Sequence, residues 1–244
     1  MTSSSVTVAS AQPGGDPASL AACIQNTLVG QAVTAAQVAA HVASAVQYGF
    51  DAVTVPGSWV TYARSLLVQA GPDAVHLGAI LDFPYGSSST AERVAGAAAM
   101  AAAGADQIDS TVNVGLVLSG RRADFTADLV AIVQAATPLP VKFMLELPLL
   151  DAAQCDFVVD TAVEAGAAYV KNASRGAVGI ADVATIAYLR RRVPDTVRVK
   201  ASGGIRTAQQ VRDLLAAGAD LIGTSAGVAI VTGGRAKDDS LDRY

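Results

Sequence analysis

The sequence predicts a single-domain α/β fold, a (β/α)8 TIM barrel spanning residues 18–232, on three observations. Short apolar runs rich in β-branched residues alternate with segments of helical period, and each of these helical segments is followed within a few residues by Gly or Pro. Eight such runs fit into about 220 residues, close to the size of a (β/α)8 barrel. The third is a weak internal repeat, AGADQID (103–109), AGAAYVK (165–171) and AGADLIG (217–223), in which Ala-Gly-Ala ends a helix and a strand follows. Taken alone, the repeat is equally well read as the common ending of Ala-rich helices.

In chain order the first strand lies near IQNTLV. The helix TAAQVAAHVASAVQYGF follows, with Val38, Val42 and Val46 on one face, Thr34 as N-cap and Gly49 as its stop. DAVTVP and AVHLGAILDFP are strands two and three, and SSTAERVAGAAAMAAAG is helical. DQIDSTVN and PVKFMLEL are strands four and five, followed by the helix DAAQCDFVVDTAVEAG. AAYVKNAS, VRVKASG and DLIGTSAG complete the set, separated by IADVATIAYLRRRV and TAQQVRDLLAAG, with Thr207 placed to start the latter helix. Nearly continuous apolar strands are those of a parallel sheet covered by helices on its outer face. A doubly wound open sheet is the alternative, but no GxGxxG follows the first strand, which argues against a dinucleotide site. Residues 1–17, rich in Ser, Gly and Pro, are expected to be a flexible segment, and the polar residues 233–244 a flexible tail.

The 244 residues are 52% hydrophobic and 16% charged, a composition that builds a core and excludes disorder. A net charge of −4 disfavours nucleic acid as a partner. Two cysteines, Cys23 and Cys155, cannot form a disulfide framework or a four-thiolate zinc site, and His41 and His76 leave little for a multi-histidine site. No metal and no cofactor are expected. No apolar run approaches the roughly 18 residues of a membrane span, and the N-terminus lacks a basic region followed by an apolar core. A cytoplasmic protein acting on a small molecule is expected, and a homodimer is left open.

The 17 basic residues divide into 13 Arg and only 4 Lys, so arginine is expected to carry the surface charge. Lys142, Lys171 and Lys200 sit inside the apolar runs PVKFMLEL, AAYVKNA and VRVKASG. If Lys171 and Lys200 point into a barrel from strands six and seven, burial and like charge lower a lysine pKa. A neutral amine then attacks a carbonyl to form a Schiff base, which arginine cannot do. The alternative is a pair of lysines that snorkel outward or pair with carboxylates. Asp109 near these amines is either a proton relay or simple charge compensation. Lys142 and Glu146, at i and i+4 of strand five, are either an interior ion pair or part of the chemistry. Gly203-Gly204 after strand seven and Gly223–Ser225 after strand eight occupy the loops that bind phosphate in many barrels.

GADQID, VEAGAAYVKNAS, VKASGGIRT and IGTSAGVAI together resemble the deoxyribose-phosphate aldolase family of class I aldolases, the likeness extending over about residues 20–231. The resemblance implies metal-independent cleavage of 2-deoxy-D-ribose 5-phosphate to acetaldehyde and glyceraldehyde 3-phosphate, and the reverse. It makes Lys171 the Schiff-base lysine, Lys200 the neighbour that lowers its pKa and Asp109 the proton-relay acid. Gly203, Gly204, Arg206, Gly223 and Ser225 would surround the phosphate, with Thr27 and Arg175 also on the substrate side. Departures are specific. The family's Asp-His-Thr reads Gln25-Asn26-Thr27, and its Cys-Val-Asn-Pro reads Thr54-Val55-Pro56-Gly57. Thr-Ser-Thr-Gly after the lysine reads Asn172-Ala173-Ser174-Arg175, and the second serine of the Ser-Ser pair is Ala226. These changes admit two alternatives, an aldolase for another, specialised-metabolism substrate and a non-catalytic barrel. Tyr244 is either a proton donor folded back to the site, as in some family members, or the end of a polar tail.

Overall fold

A computed structural model describes residues 16–71 and 75–234. Its eight parallel strands are β1 (Ile24–Thr27), β2 (Ala52–Pro56), β3 (His76–Leu81), β4 (Gln107–Thr111), β5 (Val141–Met144), β6 (Tyr169–Lys171), β7 (Arg198–Ser202) and β8 (Leu221–Thr224). They pair in sequence order and close into a barrel, β8 returning to β1 with Gln25 beside Gly223. The expected (β/α)8 barrel is therefore the fold. Helix α1 (Pro17–Ala21) precedes β1, and α2 (Ala35–Tyr48), α3 (Val60–Ala70) and α4 (Thr90–Ala102) follow the first three strands. After β4 come the short α5 (Val114–Leu118) and the longer α6 (Arg122–Ala136). The last four connections carry α7 (Ala152–Glu164), α8 (Val183–Arg192), α9 (Ala208–Ala216) and α10 (Gly227–Thr232).

Local chemistry sets the helix starts. Thr34 accepts from Gln37 N–H while the Gln37 side chain reaches back to Thr34, and Gly49 ends α2 at φ 68°. The same reciprocal box starts α4 at Ser89, α7 at Asp151 and α9 at Thr207. Asp16 and Pro17, expected in a flexible leader, instead cap and begin α1, because the Asp16 carboxylate accepts from Ala18 N–H and Pro suits the first helical turn. Residues 1–15 and 235–244, which include Tyr244 and most of the expected tail, lie outside the described residues.

Alternation along each strand sorts the side chains onto two faces. Val53, Leu77, Ile108, Val141, Phe143, Val170, Val199 and Ile222 are buried outside the barrel wall against the helices. The opposite face carries Gln25, Gln107, Asp109, Lys142, Lys171 and Lys200, all buried. Barrel interiors are ordinarily packed with branched aliphatics, so this polar layer calls for a chemical explanation.

One expectation needs correcting outside that layer. Arg93 is not a surface charge: it is 1% exposed on the inner face of α4. Its guanidinium pairs with Asp128 of α6, donates to the Thr111 carbonyl and, at 3.1 Å, to Ser110 Oγ, and lies 3.4 Å from Asp82 Oδ2. The fork geometry of arginine satisfies several acceptors at once, which a helix-face position in the sequence does not reveal.

Candidate active site

Strand register brings the polar residues together. Asp109 lies beside Lys142 across β4–β5, and Lys171 beside Lys200 across β6–β7. All three amines converge on one carboxylate. Lys200 Nζ is 2.6 Å from Asp109 Oδ2, Lys142 Nζ is 3.0 Å from Oδ1, and Lys171 Nζ is 3.6 Å from Oδ2. Burial alone would raise the Asp109 pKa, but Lys142, Lys200 and Lys171 outweigh it and hold the carboxyl ionised far below the usual range.

The three lysines differ in what else holds them. Lys142 donates to Gln107 Oε1 at 2.5 Å and to Asp109, and Lys200 donates to Gln25 Oε1 at 2.6 Å and to Asp109. Among the described residues Lys171 has only the long Asp109 contact, and it reaches the wall of a cavity of about 60 Å³ at the C-terminal end of the barrel. Burial, then the charge of Lys200, lowers its pKa from 10.5 to about 8. Burial lowers Lys142 to about 8 as well, yet its side chain is fully enclosed and absent from the cavity wall. Depressed basicity is thus shared, whereas access belongs to Lys171.

The cavity wall also includes Thr27, Ser174, Arg175, Gly203, Gly204, Gly223 and Ser225. Gly203 and Gly204 have φ of 106° and 66°, a left-handed backbone that favours glycine. Gly223 has a second reason to lack a side chain, since a Cβ there would come within 2.9 Å of Lys200 Cε. Arg206, grouped with the phosphate-binding residues in the sequence, is not part of this wall; its backbone N–H donates to Gln210 Oε1 at the start of α9. A neighbouring cavity of about 250 Å³ shares Val29, Ile80 and Phe83 with the first and continues past Pro56 and Tyr85.

Several departures from the family pattern lie behind the wall. Gln25 is buried, accepting from Lys200 and donating to Asp51 Oδ2 at 2.7 Å. Asn26 faces outward to His41 on α2. Asn172 exchanges two hydrogen bonds of 2.9 Å with the Ser202 backbone, tying the end of β6 to the end of β7. Thr54 packs under Gly78. Of the four residues after Lys171, only Ser174 and Arg175 reach the cavity.

Of the two readings of Lys142 and Glu146, the interior ion pair does not form. β5 ends at Met144, and Glu146 adopts a left-handed backbone (φ 53°, ψ 38°), so the i, i+4 relation of a continuous strand is broken. Glu146 instead lies beside Lys171, Ser174 and Arg175, whose charges and hydrogen-bonding groups act on its carboxyl. Gln107 was missed in the sequence, although its position two residues before Asp109 puts it on the same inward face.

No family model matches the chain. A deoxyribose-phosphate aldolase from Methanocella arvoryzae is 35% identical over 216 residues, which is 88% of this chain and 96% of that protein. One from Natronomonas pharaonis is 37% identical over 218 residues, covering 89% and 96%. The tetrameric deoxyribose phosphate aldolase structure from Aeropyrum pernix superposes with a TM-score of 0.83 at 29% identity, covering 91% of this chain and 93% of that one. Identity above one third along almost the whole length, on the same closed barrel, places the chain in the deoxyribose-phosphate aldolase family, among the class I aldehyde-lyases.

Proposed function

We propose that this aldolase cleaves 2-deoxy-D-ribose 5-phosphate reversibly through an iminium on Lys171. The observation that carries the reading is the difference among the three buried lysines: the one on the cavity wall has a lowered pKa and the loosest hold on Asp109. Neutral Lys171 attacks the C1 aldehyde of the open-chain sugar, and loss of water from the carbinolamine gives the iminium. The C2–C3 bond then breaks, its electron pair moving into the iminium to form an enamine while the C3 hydroxyl gives its proton to water. Glyceraldehyde 3-phosphate departs, the enamine takes a proton from water at C2, and hydrolysis frees acetaldehyde and Lys171. Asp109 and Lys200 keep the amine poised, Asp109 as a fixed negative charge and Lys200 as the neighbouring positive one.

The phosphate is assigned to the turns Gly203-Gly204 and Gly223–Ser225, with Arg175 and Thr27 on the same wall. Gly204→Val is expected to raise KM for the phosphorylated sugar about 10-fold or more, the worth of a hydrogen bond to a charged group. Trapping of acetaldehyde on the same variant should be nearly unchanged. Equal loss with both ligands would move the anion elsewhere. A cytoplasmic location and a homodimer belong to the same proposal, the first supported by the charged substrate and the second checked by sedimentation.

The test is borohydride reduction in the presence of deoxyribose 5-phosphate, followed by peptide mass mapping. Label on the peptide carrying Lys171 is expected. Label on Lys142 or Lys200, or none at all while cleavage proceeds, would overturn the assignment.

A further inference from the structure

The iminium reading needs a group that protonates the hydroxyl leaving the carbinolamine. The Asp109 carboxyl is held ionised at rest by three lysines, and residue 25 is an amide. Another carboxyl stands nearby. Glu146 is 3% exposed, and the hydrogen-bonding group that acts on its carboxyl is Ser174. Its position is clamped to that of the nucleophile: Leu145 N–H donates to the Lys171 carbonyl at 2.9 Å and Leu147 N–H to the Asn172 carbonyl at 3.0 Å. Between these bonds Glu146 is forced into the left-handed region at φ 53°, a strained conformation for a non-glycine residue and one that clusters at functional sites.

In front of it lies Ser174, whose buried side chain acts on the Glu146 carboxyl and whose residue lines the Lys171 cavity. The charged groups facing the carboxyl are Lys171 from β6 and Arg175 from the loop that follows. Neither closes an ion pair with it among the described residues, and Arg175 turns its guanidinium over the Tyr85 ring at 5.5 Å. A leftover structural carboxylate in this place would be expected to pair with Arg175.

We propose that Glu146 supplies the proton that expels water from the Lys171 carbinolamine, passing it through the Ser174 hydroxyl, and recovers it when the product iminium is hydrolysed. The inference rests on the Lys171 iminium. In the forward step the Glu146 O–H gives its proton to Ser174 Oγ, and Ser174 gives its own to the carbinolamine oxygen. The C–O bond breaks, the nitrogen lone pair forms C=N⁺, and water leaves, with Glu146 now a carboxylate. When water later adds to the product iminium, its surplus proton returns by the same two oxygens. Burial pushes the Glu146 carboxyl up from 4.5 to about 7, against the opposing pull of Ser174, Lys171 and Arg175, so an acid form is at hand near neutral pH.

The enzyme-dependent part of the exchange of the acetaldehyde oxygen with H₂¹⁸O, measured over the spontaneous exchange through the hydrate, reads formation and dehydration of the carbinolamine without C–C cleavage. The wild type needs neutral Lys171 and protonated Glu146, so exchange should rise with pH, peak between about 7 and 8, and fall above. Glu146→Gln should lower exchange about 100-fold and remove the falling limb. Ser174→Ala should match it, the double variant should be no worse than either single one, and Glu146→Asp should recover part of the rate and the falling limb. Wild-type exchange that climbs steadily to pH 9 would overturn the proposal whatever the variants do, as would Glu146→Gln with an unchanged pH profile or fully additive losses. Should Glu146→Gln fail to fold, the wild-type profile and Ser174→Ala decide. Absence of any borohydride-trapped adduct in the wild type would instead sink the Lys171 reading itself.

Discussion

Lys171→Arg should reduce turnover by at least about 10⁴-fold, the scale of losing a covalent nucleophile, and should eliminate borohydride trapping. The substitution keeps a positive charge beside Asp109, so the fold has little reason to suffer. What it removes is the ability to shed a proton: Lys171 reaches a neutral form near pH 8, whereas a guanidinium stays charged. The pH dependence of the wild type follows with the same sign. Trapping with acetaldehyde should increase as pH rises toward about 8, because the reactive species is the free amine. Undiminished trapping in Lys171→Arg would transfer the chemistry to another lysine.

Asp109→Asn should destabilise the protein by about 3–5 kcal/mol near pH 7, the penalty for leaving buried charge without its partner, and lower Tm by roughly 10 °C. Lys142 and Lys200 have neutral amide oxygens besides Asp109, but no second carboxylate contacts them among the described residues. The deficit should shrink as pH rises. Lys142 releases its proton at about 8 in the folded protein and at an ordinary 10.5 when unfolded. Between those values the unfolded chain binds more protons, so stability rises with pH. In the variant Lys142 loses the carboxylate that raises its pKa and deprotonates earlier still, so less charge remains to be compensated as pH rises. Thermal melts from pH 7 to 10 measure this, and a deficit that does not change over that range would show that the carboxylate acts through packing.

The barrel was legible because alternation and Gly-terminated helices survive in single segments, and because each short strand carries a recognisable apolar run. Two of its helices were harder to see. α6 buries Phe125, Leu129, Ile132 and Ala136, a helical stripe, but Asp128 lies on the same face and masks the period. That residue is buried because Arg93 and Thr90 of α4 are there to receive it, contacts 35 and 38 positions away. α3 starts from a 3-10 turn at Gly57–Trp59 without a side-chain cap, so the usual entry signal is missing. In the site, Asp109, Lys171 and Lys200 stood out as charges in apolar runs. Glu146 is harder to place from the sequence, since nothing in LEL announces that the strand ends at Met144. Cross-strand register decides such contacts, and register is a property of eight segments at once.

The polar layer inside the barrel also limits how this enzyme can be made more robust. Replacing a buried ion cluster by well-packed aliphatics often stabilises a protein by about 1–4 kcal/mol, and a barrel centre is the natural place to try. Here that layer consists of Gln25, Gln107, Asp109, Lys142 and Lys200, beside Lys171. Exchanging Asp109, Lys142 or Lys200 for carbon removes a charge that acts on the acidity of Lys171. Thermal hardening therefore has to come from the helical shell, where α2 to α9 contribute packing but no chemistry, and the centre must be left alone.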